Sequence, residues 1–86
     1  MNVVEEILRA LNNRRGKEYW YRLDYVDEDE DYVYVELSGS GSFSRDDLKD
    51  ITRICEENGY TLDYFDVELD EEKLVLVLSL ALRGRK

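Results

Sequence analysis

The stretch that decides the fold is Leu74-Val-Leu-Val-Leu-Ser-Leu-Ala-Leu82, nine residues that carry no charge. Successive side chains of a β-strand point to opposite faces of its sheet, so this strand would be apolar on both faces. Such a strand belongs in the centre of a sheet, where other elements cover it. The stretch therefore raises one question, namely what covers its second face.

The first half of the chain predicts a helix followed by a β-hairpin. A capping-box pattern at 2–5 starts a helix over about 3–15, which Gly16 ends. Polar and apolar residues then alternate over 18–26 and again over 32–38. The acidic segment between these two runs predicts the turn of the hairpin.

The second half of the chain has the same order of elements. Ser44-Arg-Asp-Asp47 is another capping-box pattern, and the helix that it starts should end at Asn58-Gly59. The apolar stripe of that helix consists of Leu48, Ile51, Ile54 and Cys55. An alternating run over 60–69 then pairs with the opening stretch as a second hairpin.

The two halves share a short motif as well as an order of elements. Leu23-Asp-Tyr-Val-Asp27 matches Leu62-Asp-Tyr-Phe-Asp66, and both copies precede an acidic turn and an aliphatic strand. We therefore predict a single domain over 1–86. Its pseudo-repeat halves, 1–38 and 43–86, are joined by a Ser/Gly linker.

Two αββ units predict the α+β class, with a four-stranded antiparallel sheet and both helices on one face. This arrangement resembles a circularly permuted ferredoxin-like sandwich, a likeness of architecture that implies no activity. The second strand of each hairpin should be central. The strands rich in tyrosine and charge fall at the edges, where charge discourages stray pairing.

Unbroken alternation assigns the strand residues to two faces. The face toward the helices would hold Leu23, Tyr25, Val33, Val35, Leu37, Leu62, Tyr64 and the leucines from Leu74 to Leu82. The opposite face would hold Trp20, Val26, Tyr32, Tyr34, Phe65, Val67, Val75, Val77 and Ala81, with Arg22, Asp24, Glu36, Thr61, Asp63 and Ser79 among them.

This helix-free face is the candidate site. Its nine apolar or aromatic residues would expose a larger apolar patch than the roughly few hundred Å² that a soluble monomer usually exposes. We therefore expect a homodimer, or another protein, to cover the face, with Trp and Tyr as anchors. The predicted interface consists of Trp20, Tyr32, Tyr34, Phe65, Val67, Val75 and Val77. The alternative is a hydrated face that a monomer tolerates, since much protein surface is apolar.

The composition is acidic, with 12 basic and 21 acidic side chains in 86 residues and a net charge of −9. Repulsion from phosphates argues against direct binding to nucleic acid and to an anionic membrane surface. A single cysteine excludes a disulfide framework, and the sequence predicts neither a membrane span nor a secretory signal. These features favour a cytoplasmic protein.

The acidic turn resembles the start of a calcium loop. Asp27, Asp29 and Asp31 stand at its first, third and fifth positions, but Tyr32 and Ser38 replace the required Gly and Glu. The three aspartates are weak metal candidates, and a hydrated turn is the favoured interpretation. The segment 39–41 likewise lacks the third glycine of a dinucleotide loop, so we interpret it as a linker.

Residue types suited to catalysis are scarce. The chain has no histidine, and Cys55 lies on an apolar stripe, where cysteine behaves as a small hydrophobe. Asp24 and Asp63 are equivalent in the repeat, but on opposite edge strands they would be about 14 Å apart, too far for an acid–base pair. The basic clusters at 14–17 and 83–86 suit helix-end partners and a frayed tail. We predict no catalytic residue, no cofactor and no enzyme.

The leading hypothesis is a small acidic protein-interaction module that homodimerises or binds a protein partner through the helix-free face. Its acidic rim would steer basic partners. One alternative is a regulatory domain that holds a small ligand at the sheet interface near Trp20 and Tyr34. A second alternative is an engineered scaffold without a natural function, because capping boxes and regular alternation suit one.

Overall fold

The computed structural model describes residues 2–13, 20–40 and 42–85, which form two helices and a four-stranded antiparallel sheet. The elements are α1 (Val3–Asn13), β1 (Tyr21–Glu28), β2 (Tyr32–Gly39), α2 (Arg45–Glu57), β3 (Tyr60–Asp70) and β4 (Val75–Gly84). The predicted α+β class is confirmed. The predicted stop at Gly16, the basic cluster at 14–17 and Lys86 lie outside the described residues.

The strands lie in the order β1-β2-β4-β3, so the second strand of each hairpin is central, as predicted. The two central strands pair directly, with Val35 opposite Leu80 and Leu37 opposite Leu78. Directly opposed residues of an antiparallel pair share a face. Because these four side chains are buried almost completely, that face is the one that packs into the core.

The helices begin where the capping patterns predict. The Glu5 backbone N–H donates to the Asn2 side chain at 2.9 Å, and in α2 Ser44 and Asp47 form a reciprocal capping box. Gly59, with φ of 81°, ends α2 in the left-handed conformation that glycine favours. Buried residues of both helices then pack on the sheet, among them Val3, Val4, Ile7, Leu11, Ile51, Ile54 and Cys55. Neither helix of the described chain has the length and apolar run needed to cross a membrane.

Each edge strand contains a β-bulge at the same place in the repeated motif. The pairing register shifts between Leu23 and Tyr25 in β1 and between Leu62 and Tyr64 in β3. Asp24 and Asp63 are the extra residues, and an extra residue reverses which face the following side chains occupy. The faces of both edge strands are therefore exchanged beyond the bulge.

The bulges correct five predicted placements. Tyr25 and Tyr64 were expected toward the helices, but they pair opposite Glu36 and Ala81 and lie on the helix-free face. Phe65, Val67 and Val26 were expected on the helix-free face, but they pair opposite the core residues Leu80, Leu78 and Val35. Phe65 packs against the core, and its ring centroid lies 5.2 Å from that of Phe43.

Leu74 is also placed differently from the prediction. It precedes β4 in the turn of the second hairpin, where it is 76% exposed and has φ of 56°. This left-handed conformation is uncommon for a residue with a side chain. The turn is held by the Asp70 side chain, which accepts hydrogen bonds from the N–H groups of Glu72 and Lys73. Leu74 therefore contributes nothing to the core.

Gly39 allows the start of β1 to pack against the end of β2. The two strands pair with Tyr21 opposite Gly39, and the Tyr21 side chain is buried over the glycine. A Cβ at Gly39 would lie 2.5 Å from the Tyr21 ring and 2.7 Å from the Trp20 carbonyl oxygen. The Asn12 side chain then bonds both the N–H and the carbonyl of Tyr21, which attaches α1 to the sheet edge.

Substitution of Gly39 tests this close approach. We expect Gly39→Ala to lower the free energy of unfolding by about 1–3 kcal/mol, because the new methyl group must displace the Tyr21 ring or the backbone beside it. Gly84→Ala is the matched control, since its Cβ would meet the nearest atom at an ordinary 3.6 Å. Urea unfolding followed by circular dichroism measures both. Equal midpoints for the two variants would contradict this packing of Tyr21 over Gly39.

Candidate functional site

The outer face, defined here as the sheet face away from α1 and α2, is the candidate site. Pairing registers assign its strand residues. They are Arg22, Tyr25 and Asp27 on β1; Tyr32, Tyr34, Glu36 and Ser38 on β2; Val75, Val77, Ser79, Ala81 and Arg83 on β4; and Thr61, Tyr64, Asp66, Glu68 and Asp70 on β3. The face is therefore a mixture of aromatic, small and acidic side chains.

Three tyrosines form a platform across the middle of the outer face. Tyr25 and Tyr34 meet edge to face, with ring centroids 6.2 Å apart and an interplanar angle of 61°. Ala81 lies in one row between Tyr34 and Tyr64 and is only 1% exposed, so larger neighbours on this face close over it. We call Tyr25, Tyr34 and Tyr64 the tyrosine platform. About half of Tyr25 and of Tyr64 remains open to solvent.

Carboxylates surround the tyrosine platform. Five of them belong to the strand residues of the outer face: Asp27, Glu36, Asp66, Glu68 and Asp70. The two bulge aspartates also lie beside this face, because Asp24 pairs with Arg22 at 3.2 Å and Asp63 pairs with Arg83 at 3.1 Å. The two arginines are thus already engaged. Among the described residues, no ion pair involves any of the five other carboxylates.

The negative charge acts directly on the tyrosine hydroxyls. The pKa of Tyr64 is raised above its ordinary value, chiefly because Asp66 disfavours a second negative charge nearby; partial burial, Tyr34 and Glu68 act in the same direction. The Tyr34 hydroxyl donates a hydrogen bond to Glu36 at 3.1 Å. A neutral tyrosine keeps a hydroxyl donor and an electron-rich ring face, and both suit a site whose field attracts cations.

Trp20 lies at one end of the outer face, as predicted. The Arg22 guanidinium carbon is 5.7 Å from the centroid of the Trp20 ring. A cavity of about 110 Å³ is lined by Trp20, Arg22, Ser38, Gly39, Ser40 and Val75. Ligand pockets usually enclose about 300–1,000 Å³, so this cavity is small for the predicted ligand site. Tyr34 does not line it.

Five predicted interface residues lie on the outer face and two do not. Trp20, Tyr32, Tyr34, Val75 and Val77 are placed as predicted. Phe65 and Val67 lie on the helix side, because the bulge at Asp63 reverses the faces of β3. That the outer face is an interface stays a prediction.

Unbroken alternation did not place Tyr25, Tyr64 or the acidic row of β3, namely Asp66, Glu68 and Asp70, on this face. A signal for them was present. Unbroken alternation from Leu62 would have turned Asp66 and Glu68 toward the core, where unpaired charges are costly. Two charges at core-facing positions of one strand therefore indicate a bulge before them.

The other acidic candidates are not brought together. The part of the chain that the structure describes contains no group of three acidic, cysteine or histidine side chains placed to hold a metal ion. That statement covers Asp27, Asp29 and Asp31. Asp24 and Asp63 lie on opposite edge strands, and each pairs with a different arginine.

Cys55 is fully buried in α2 against the core. Burial raises the pKa of its thiol to about 11, and the neighbouring charge of Glu56 adds to the effect. The thiolate, which is the nucleophilic form, is therefore scarce near neutral pH. Cys55 is placed as the sequence predicts, on the apolar face of its helix.

Comparison of the chain with protein-family models, with curated proteins and with solved structures finds no match.

The reactivity of Cys55 tests its burial. At pH 8 we expect the folded protein to resist a thiol-specific disulfide reagent, because the thiol is both inaccessible and protonated. The unfolded protein in urea should react rapidly with one equivalent of reagent and is the positive control. Rapid reaction of the native protein would show that Cys55 is accessible and would make it a candidate nucleophile.

Proposed function

We propose that the protein is a small interaction module that binds another protein through the outer face. The observation that carries this proposal is the tyrosine platform, a group of three aromatic side chains on the sheet, two of which are about half open to solvent. Tyrosine is enriched at protein interfaces because it offers a large contact area and a hydroxyl at little conformational cost. The likeness to a ferredoxin-like sandwich is one of architecture and adds nothing to this proposal.

The charge of the outer face favours a different partner over a second copy of the chain. Seven carboxylates and two arginines would meet the same set if two outer faces stacked on each other. Like charges brought together across an interface cost several kcal/mol in total and suppress such pairing. Phe65 and Val67, which contributed to the homodimer prediction, also lie on the other side of the sheet, and the residues that take their place on the outer face, Tyr25 and Tyr64, carry hydroxyl groups.

Solution mass tests the choice between the two partners. We expect a monomer across a dilution series at low salt, with Trp20 fluorescence typical of a water-exposed indole, because repulsion is least screened there. Light scattering and the emission maximum are the measurements. A dimer at low salt that persists on dilution and shifts the Trp20 emission to the blue would overturn the preference for a different partner.

A selection experiment tests whether the outer face is the binding surface. A random peptide library is displayed and selected against the wild-type protein, and the selected peptides are then measured against two variants. Tyr25→Ser/Tyr64→Ser removes the two exposed tyrosines of the platform, both of which lie on edge strands. Lys49→Ser/Thr52→Ala is the control, since these residues line an open depression of about 370 Å³ on α2, on the other side of the molecule.

We expect the selected peptides to lose at least about tenfold in affinity for the platform variant, which corresponds to removing about 1.4 kcal/mol of contact energy. Their affinity for the α2 variant should be unchanged. Circular dichroism confirms that both variants fold. Peptides that bind the platform variant as tightly as wild type, or lose affinity only for the α2 variant, would refute the proposal.

A further inference from the structure

We infer that the segment bound by the outer face is extended and rich in arginine, with guanidinium groups that stack on the tyrosine platform and pair with the carboxylates around it. This inference rests on the proposed function and names the chemistry of the partner. Three features of the outer face support it: the balance of charge, the spacing of the carboxylates, and the contacts that Arg22 and Arg83 of the same chain make there.

The balance of charge calls for a cationic partner. Seven carboxylates lie on or beside the outer face, and the two arginines there are already paired with the bulge aspartates. The tyrosines add no positive charge, and the pKa of Tyr64 is raised by the acidic residues near it. A neutral or acidic segment would leave the other five carboxylates partly desolvated without a counter-charge, which is unfavourable. Only cations neutralise them.

The spacing of the carboxylates fits an extended segment. Asp66, Glu68 and Asp70 occupy alternate positions of β3 on the outer face, opposite Ser79, Val77 and Val75 of β4. Alternate residues of a strand are about 6.8 Å apart, and alternate side chains of an extended peptide have the same repeat. A segment that runs along β3 with arginine at every second residue therefore presents one cation to each of these carboxylates.

The outer face already binds two guanidinium groups of its own chain. Arg22 lies over the Trp20 ring at 5.7 Å and pairs with Asp24 at 3.2 Å, so one guanidinium has both an aromatic and a carboxylate partner. Arg83 pairs with Asp63 at 3.1 Å beside the platform. Tyr34 next to Glu36, and Tyr64 near Asp66, repeat this combination of ring and carboxylate without an arginine of the described chain.

Arginine suits such a place better than lysine does. Its planar guanidinium stacks on an aromatic ring while its edge still donates to a carboxylate, and it is less strongly hydrated than an ammonium group. Two exposed cation–π contacts correspond to a gain in affinity of roughly five- to thirtyfold, of which lysine obtains only a part because its ammonium group is more strongly hydrated. The preference is therefore measurable with short peptides.

The test compares three short peptides of the same length, in which arginine, lysine or citrulline alternates with serine. Citrulline keeps the planar shape of arginine but has no charge. Calorimetry at low salt gives the affinities, and amide shifts in a ¹H–¹⁵N spectrum locate the site. We expect arginine to bind at least about threefold more tightly than lysine, with shifts on β3 and on the platform, and citrulline not to bind measurably.

Two platform variants separate stacking from charge. Tyr25→Phe/Tyr64→Phe keeps both rings and should keep the preference for arginine over lysine. Tyr25→Ser/Tyr64→Ser removes the rings without changing the net charge, and should reduce that preference to nearly none, with a larger loss of affinity for arginine than for lysine. Circular dichroism shows whether each variant is folded.

The possible failures are distinguishable. Equal affinity for arginine and lysine, insensitive to both platform variants, would overturn the inferred chemistry and leave the proposed function to the selection experiment. The inferred chemistry would also be overturned if the peptides from that selection bound the outer face but contained no excess of arginine. Shifts confined to α1 and α2 would overturn the inferred site as well, and a selection that depends only on α2 would overturn the proposed function.

Discussion

One inserted residue in each edge strand determines what the surface of this protein presents. Without the bulges at Asp24 and Asp63, the residues that follow would keep the original alternation, and Asp27 and Asp66 would point at the helices. A carboxylate buried there without a partner would cost several kcal/mol, a large fraction of the stability of a domain this small. The bulges instead turn the aspartates outward together with Tyr25 and Tyr64. The outer face is thus acidic and aromatic because the core cannot accommodate these aspartates.

This constraint also answers the question posed by the apolar strand β4. Its helix side is covered by α1 and α2, and Leu78, Leu80 and Leu82 are fully buried there. On the outer side Ala81 is covered within the monomer, because it lies between Tyr34 and Tyr64 and is small enough for them to close over it. Tyr34 and Tyr64 therefore cover part of the surface that a second protein was expected to cover. Because Ala81 needs no partner to be buried, the outer face suits a reversible interaction better than a permanent one.

The sequence predicted the elements of this fold better than the faces of its strands. Capping patterns at Asn2 and Ser44 and the glycine at 59 located both helices, since these signals are local and chemical. The aliphatic character of 32–38 and 74–82 identified the central strands for the same reason. A bulge is harder to predict, because alternation along a strand assigns side chains to faces only as long as no extra residue interrupts it. The charges at Asp66 and Glu68 signalled the break, but only pairing with β4 shows that Asp63 is the extra residue.

The repeated motif gives the candidate site two similar halves. Tyr25 and Asp27 on one edge strand correspond to Tyr64 and Asp66 on the other, and each pair follows an equivalent bulge. An exposed ion pair contributes about 0–1 kcal/mol and an exposed cation–π contact about as much, so neither half would hold a single cation firmly. A partner that engages both halves adds these small terms with little further loss of freedom, because the sheet holds the two halves in a fixed relation. The proposed recognition on such a face would therefore depend on the number and spacing of cations along the partner, and a lone arginine would be a poor substitute for a series.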